Sequence, residues 1–363
     1  GAPAPAPAPA PARPRDGHEQ TIADVFAAVL GLSDVDFDGD FFALGGDSIL
    51  SIAVSSRARR AGLPLTPRDV LTLRTPRALA AHVPAQPAQP APPAQVGSDG
   101  VGDVPLLPIV HWLRDTGSPI DRFTLPVLLT VPGPADLPAL TATLQAVLDR
   151  HDGLRLRLRR IASVLWTLQT TPAGTVDAGE LIRRVDVSSL PADRLAAVVA
   201  AESAAATGRL DPDEGRMLQA VWFDAGDQPG RLLIAAHHLA VDGVSWRILL
   251  DDLATAAAGT TLPGTGTSLR RYAQAVQAQA QAPERLAELE HWIRELAPGA
   301  DLLPVPLPGP GAPARRHTTR LSVAATRALL TTVPGALRAE VTGVLLAALH
   351  RGVGGWRRTT GRD

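Results

Sequence analysis

The chain has 363 residues, 45% of them hydrophobic and 20% charged, a balance that supports packed cores in two or three domains. Its net charge of −1 gives no electrostatic drive toward nucleic acid or an anionic membrane, and the absence of cysteine excludes disulfides and thiolate metal sites. No signal-peptide pattern and no apolar run of about 18 residues is visible, so a cytoplasmic setting is expected. All 35 basic residues are Arg, which with abundant Ala and Pro reads as the coding bias of a GC-rich genome.

Residues 1–17 begin with alternating Ala and Pro, a composition that favours a stiff extended spacer. A second Pro-rich linker covers 84–103. Between them, 18–83 reads as four helices. The first spans 19–32, with Ile22, Val25, Phe26, Val29 and Leu30 at helical spacing. A Gly/Asp-rich loop follows over 33–46. The second helix starts near Asp47 or Ser48 and runs to Gly62, with Ile49, Ile52 and Ala53 expected on one face. Pro67 and Pro76, each after a Thr, mark the starts of two short helices.

Strand-like and helix-like segments then mix. RFTLPVLLTV (122–131) reads as a strand and 137–154 as a helix. Residues 216–239 read as a hairpin around a polar Gly/Pro turn. Residues 245–257 read as a helix with Ser245 as N-cap, and 268–296 as helical with a break near Pro283. A Pro/Gly-rich connector spans 304–316, and the last segment is helical. No internal repeat is present.

Two short strings carry chemistry. In GGDSI (45–49) the glycines permit a sharp turn, and a serine at the first turn of a helix meets free N–H groups that favour a phosphate. On spacing alone, Asp47 or Ser48 reads equally well as an ordinary N-cap. In HHLAVDG (237–243) the strand context and the lack of a third ligand cluster disfavour a metal. Adjacent strand residues face opposite ways, so at most one histidine shares a face with a given cleft. The pattern leaves that one open as a core residue or as a base titrating near neutral pH.

DFFALGGDSILSI resembles the 4′-phosphopantetheine attachment site of peptidyl carrier domains of nonribosomal peptide synthetases, a likeness covering about 65 residues up to PRALAAHV. It implies that Ser48, flanked by Gly46 and Asp47, bears a covalent 4′-phosphopantetheine arm. Asp47 stands where carriers that precede epimerization domains commonly have Asp. AAHHLAVDGVSWRIL resembles the HHxxxDG signature of the condensation superfamily, and VSWRIL its epimerization branch; peptide-forming relatives more often read DGWS. PLLPIVHWL (105–113), with Trp112 at an aromatic position, and RHDGLRLRL (150–158) resemble further motifs of that branch.

The resemblance implies an all-α four-helix carrier bundle, then an α+β chloramphenicol-acetyltransferase-like lobe over 104–303. A connector and the start of a second lobe fill 304–363. The first lobe is expected to be complete and the second only begun, with apolar surface left exposed. His238 matches the catalytic histidine and His237 the structural one. Asp242 is expected to pair with Arg150 or Arg155, and Gly243 to allow a tight turn. Trp222 and Trp246 read as core, and His82, His111 and His291 as ordinary.

The chemistry implied is L-to-D epimerization of an aminoacyl or peptidyl thioester. In the family it uses the histidine and a glutamate from an EGHGRE-like motif on the other face. No EGHGR string occurs in this sequence, so the chain alone is expected to be weak or inactive in epimerization. A peptide-forming condensation domain and a carrier or docking module without catalysis remain the alternatives. The partners implied are a phosphopantetheinyl transferase, an upstream adenylation domain and a downstream condensation domain.

Overall fold

The computed structural model describes residues 17–83, 100–117, 119–133, 135–161, 165–262, 266–297, 317–337, 339 and 341–359. The Ala/Pro spacer of 1–16, the linker of 84–99 and the connector of 304–316 lie outside the described residues.

The carrier contains α1 (Gly17–Leu30), α2 (Ser48–Arg60), α3 (Pro67–Leu73) and α4 (Pro76–His82). Ile22, Phe26, Phe41, Val54, Val70 and Leu79 form its core. Both short helices begin as the Thr-Pro pairs predict. Thr66 caps α3 in a reciprocal box with Asp69, Thr75 caps α4, and Pro67 and Pro76 occupy positions where no N–H is needed. The buried face of α2 differs from the expected one. Ser51, Val54, Ser55 and Ala58 turn inward, while Ile49 is exposed. The loop before α2 is also more than a connector. Phe41 sits 5.0 Å from Phe26 ring to ring, and Arg77 and Arg74 clamp Asp38 and Asp40.

The second unit holds two sheets. The larger has the order β2 (Thr124–Val131), β7 (Gly230–His237), β6 (Leu218–Asp224), β5 (Ile182–Asp186). Its β6–β7 hairpin is the one expected from 216–239, and β5 joins it in parallel. Strand alternation divides the hairpin between two cores. Ala220, Trp222, Leu232, Ile234 and Ala236 pack with α6 (Leu137–Arg150) and α9 (Gly243–Ala257). Val221, Phe223, Leu233 and Ala235 pack with Val187 and with Ala206 of α8 (Ala192–Arg209). Trp222 is fully buried as expected, and truncating such a side chain costs about 3–5 kcal/mol.

The smaller sheet has the order β1 (Gly102–Val104), β4 (Leu165–Thr170), β3 (Leu156–Ile161), and β1 begins inside the stretch read as linker. The helix expected over 137–154 ends at Arg150, and a separate 3-10 turn covers Asp152–Arg155. Helices α5 (Pro108–Asp115) and α7 (Ala178–Leu181) are short. The predicted break near Pro283 separates α10 (Leu269–Gln279) from α11 (Pro283–Ala287) and α12 (Leu289–Glu295). The last segment forms α13 (Val323–Leu330), α14 (Thr332–Leu337) and α15 (Val341–Thr359), which leave Val323, Leu346 and Leu349 exposed. The chain divides into two compact units, α1–α4 with α13–α15 in one and β1 through α12 in the other. Among the described residues no single helix is long and apolar enough to cross a membrane.

Candidate functional site

The paired histidines close β7, and the turn that leads into β2 meets the ring of His237 and both the backbone N–H and the ring face of His238. Register sets this arrangement, because Thr124 lies opposite His237 and so brings residues 120–123 beside both histidines. His237 is fully buried. Its Nε2 lies 2.9 Å from the carbonyl oxygen of Ile120, so Nε2 carries the hydrogen and donates. Its Nδ1 then accepts the N–H of Leu239 at 3.1 Å. Burial pushes the His237 imidazole below its ordinary value, against the opposing effect of the Ile120 bond. The buried ring is thus held at both nitrogens by the backbone.

His238 lies just past the strand and is half-buried. Its N–H donates to the carbonyl of Phe123 at 2.8 Å. Its Nδ1 lies 2.8 Å from the carbonyl oxygen of Val241. A carbonyl can only accept, so Nδ1 bears the hydrogen and Nε2 keeps a lone pair. The Phe123 ring stacks on the imidazole, with centroids 4.5 Å apart and planes at 25°. This arrangement presents a fixed tautomer with one nitrogen able to take a proton.

Among the described residues Asp242 pairs with no arginine. It caps α9, and its Oδ1 accepts the Ser245 N–H at 2.7 Å and the Ser245 hydroxyl at 2.8 Å. The Ser245 hydroxyl oxygen in turn accepts the Asp242 N–H at 3.1 Å. Ser245 is thus the third residue of the helix and reciprocates the cap, rather than being the N-cap itself. Burial pushes the Asp242 carboxyl up, but the bonds from Ser245 and Val244 and the nearby His238 outweigh it and hold it below its ordinary value. The expected arginine partners are committed elsewhere. Arg155 donates to the carbonyls of Leu148, Asp149 and Thr171 and clamps the end of α6. Arg150 has its Nε buried without a hydrogen-bond partner, and Asp252 offsets the cost of burying its charge. Gly243 is not a tight turn either. It is the first residue of α9, lacks a left-handed φ, and a Cβ there would meet nothing.

The remaining expectations fall as follows. Trp246 is buried as core. Trp112 is exposed on α5. His82 lies 3.6 Å from Asp69, and His291 packs edge-on against Trp292. Among the described residues no cluster of three potential ligands could hold a metal. Residue spacing did not reveal Ile120, Phe123 or the Val241 carbonyl. The roles of Ile120 and Phe123 arise from a pairing across more than 100 positions, whereas Val241 lies three residues after His238 and acts through the turn that follows β7.

The carrier site is built on α2. Gly45 has φ +96°, a region that favours glycine. Gly46 is needed for a different reason, since a Cβ there would come within 2.5 Å of the Phe41 ring. Asp47 takes the capping role, with Oδ1 accepting the Leu50 N–H at 2.7 Å. The cap therefore does not consume the next side chain. Ser48 is the first residue of α2 and is exposed, and its hydroxyl has no protein partner among the described residues. A free hydroxyl at the positive end of a 13-residue helix fits a phosphodiester attachment.

Comparison with known proteins gives a family for the region around each site. Residues 20–83 match the phosphopantetheine attachment site family, which implies a covalently bound 4′-phosphopantetheine, and residues 120–358 match the condensation domain family. The chain is 37% identical to a linear gramicidin synthase polypeptide of Brevibacillus parabrevis over 93% of its length. It is 33% identical to chondramide synthase cmdD of Chondromyces crocatus over 94%, and 30% identical to surfactin synthase subunit 1 of Bacillus subtilis over 96%. It spans only 4%, 9% and 10% of those three proteins. Among solved structures, the epimerization domain from the third module of tyrocidine synthetase B aligns with TM-score 0.58 and 25% identity, covering 70% of this chain and 58% of that one. The condensation domain of the monacolin K polyketide synthase MokA aligns with TM-score 0.54 and 16% identity, covering 72% and 60%, a likeness of fold. With the family match running from the turn before β2 into α15, and a phosphopantetheine attachment domain ahead of it, this chain belongs to the condensation domain family.

Proposed function

We propose that this chain carries an aminoacyl or peptidyl thioester on Ser48 and that its condensation-family domain belongs to the epimerizing branch, with His238 as the base at the α-carbon. The observation that carries this reading is the His238 tautomer. The Val241 carbonyl holds the Nδ1 hydrogen, so Nε2 has a lone pair fit to take a proton. The VSWRIL continuation, Asp47 before the serine and the likeness to an epimerization domain support the epimerizing branch over the peptide-forming one.

When bound, the arm supplies a thioester whose carbonyl acidifies the neighbouring α-carbon. The chain's own residues do the rest. Ser48 is the attachment point, and Asp47 holds the first turn of α2 so that the hydroxyl stays free. His238 accepts the proton, and the Asp242–Ser245 cap steadies the loop that bears its anchoring carbonyl. Inversion needs a second proton donor on the opposite face, whereas exchange needs only proton abstraction. Exchange of the α-proton is therefore the step to measure. The partners in this reading are a phosphopantetheinyl transferase, an adenylation domain that loads the arm and a condensation domain that takes the product.

The test loads the chain with an L-alanyl arm, using a phosphopantetheinyl transferase and alanyl-coenzyme A. Deuterium uptake at the α-carbon is then followed in D2O by mass spectrometry. The expected outcome is uptake in the parent and background uptake in His238→Ala. Equal uptake in both, or none in the parent, would sink the reading. Amide formation with an added aminoacyl acceptor and no exchange would favour a peptide-forming domain.

A further inference from the structure

Phe123 holds His238 in two independent ways. Its carbonyl accepts the His238 N–H at 2.8 Å, and its ring lies nearly parallel to the imidazole, 4.5 Å away. Its own backbone is pinned in turn, since the Phe123 N–H donates to Ile120 at 2.8 Å. Ile120 is the residue whose carbonyl also holds His237. One short turn before β2 therefore fixes both histidines. Phe123 is nevertheless 39% exposed. A large aromatic left that open beside a half-buried imidazole contributes little as core, so its geometry needs another explanation.

The stack covers one face of the imidazole, and the Val241 carbonyl occupies Nδ1. Among the described residues Nε2 has no hydrogen-bond partner. An aromatic face carries negative charge density, so it attracts the imidazolium that forms when Nε2 takes a proton and does little for the neutral ring. The contact thus both fixes the plane of the ring and favours its protonated state. The charged and titratable groups that act on His238 are Asp242, the cap of α9, and His237 of β7, while Asp121 from the turn before β2 and Arg160 from β3 act on His237. Arg160 is held by Asp213 and Asp121. Phe123 is uncharged, so changing it leaves this field intact.

We propose that Phe123 is a positioning residue for His238, stacking on the imidazole to set its plane and to stabilise the protonated ring during proton transfer. The inference rests on the reading of His238 as the base, but part of its test does not. In the full chain, the His238 ring signal is assigned by its loss in His238→Ala and followed by NMR against pH. Phe123→Leu keeps an apolar side chain and removes the aromatic face, whereas Phe123→Tyr keeps the face.

The expected result is a fall in the His238 midpoint of about half a pH unit in Phe123→Leu, with Phe123→Tyr staying near the parent. Deuterium uptake on the L-alanyl arm should slow about threefold in Phe123→Leu and recover in Phe123→Tyr. Phe123→Met serves as a second non-aromatic variant if Phe123→Leu does not fold. A His238 midpoint equal to the parent's in a folded non-aromatic variant overturns the proposal, as does Phe123→Tyr behaving like Phe123→Leu. If the midpoint shifts while no variant and no parent exchanges the α-proton, the catalytic reading fails and the stacking role stands. If the parent exchanges but the midpoint is indifferent to Phe123, the reverse holds.

Discussion

Nε2 of His151 lies 2.7 Å from Oδ2 of Asp252 and ties the end of α6 to the middle of α9. The contact joins the RHDGLR segment to the helix that follows HHLAVDG, two motifs 101 residues apart at these positions. Both side chains are mostly buried, and Asp252 also offsets the buried charge of Arg150. The second motif is in this respect a strut. It holds α9, and so the cap at its start, against the sheet.

Replacing Asp252 by Ala should therefore weaken the lobe rather than delete a chemical group. Removing one partner of a largely buried pair and leaving the other without its bond costs about 1–3 kcal/mol. Urea unfolding should show an earlier transition for the lobe. Attachment of the phosphopantetheine arm to the carrier should proceed at the parent rate, since Asp252 lies in the other unit. Loss of arm attachment with an unchanged lobe transition would contradict this.

The Asp242 cap separates two explanations of a single carboxylate. If Asp242 served as one half of an ion pair, Asn in its place would be nearly as damaging as Ala. As an N-cap, Asn is close to equivalent, and Ala costs about 1 kcal/mol. Asp242→Asn should keep most α-proton exchange and stability, and Asp242→Ala and Ser245→Ala should lose part of both. Circular dichroism melts and deuterium uptake on the three variants check the order.

At the carrier, Ser48→Ala should abolish the added mass of the arm after treatment with a phosphopantetheinyl transferase. Asp47→Ala should keep the hydroxyl and accept the arm, while losing about 1 kcal/mol from the missing cap. Gly46→Ala should be worse than Asp47→Ala, because the Phe41 ring must move to admit a methyl group that would otherwise sit 2.5 Å away. Intact-mass measurement and thermal unfolding of each variant distinguish attachment from stability.

His237 makes the lobe sensitive to mild acid. Burial lowers its folded-state value below the ordinary 6.5, so the unfolded chain binds a proton that the folded chain refuses. Its contribution is fully present above pH 6.5 and is lost as pH falls from there toward the lower folded value. Stability by urea titration should fall as pH drops below 6.5 in the parent and fall less in His237→Asn. The carboxylates of Asp242 and Asp224, whose values are lowered from 3.8, act in a separate and more acidic window.

Much of this molecule is local and could be read from its residues. The Thr-Pro helix starts, the β6–β7 hairpin, the break at Pro283 and the start of α2 at GGDSI depend on turn chemistry, periodicity and caps that act within a few positions. The double histidine was legible as a motif, and its strand context gave His237 and His238 different surroundings. Tertiary structure alone decided what surrounds them. The inward face of α2, the partner of Asp242, the duty of Arg155 and the stack of Phe123 on His238 depend on which distant segments pack together. Residue spacing records which side chains a segment can offer, whereas strand register and helix packing choose which of them meet. Asp242 shows the difference: it had a capping serine three residues away and two arginines elsewhere in the chain, and only the folded backbone selects the serine.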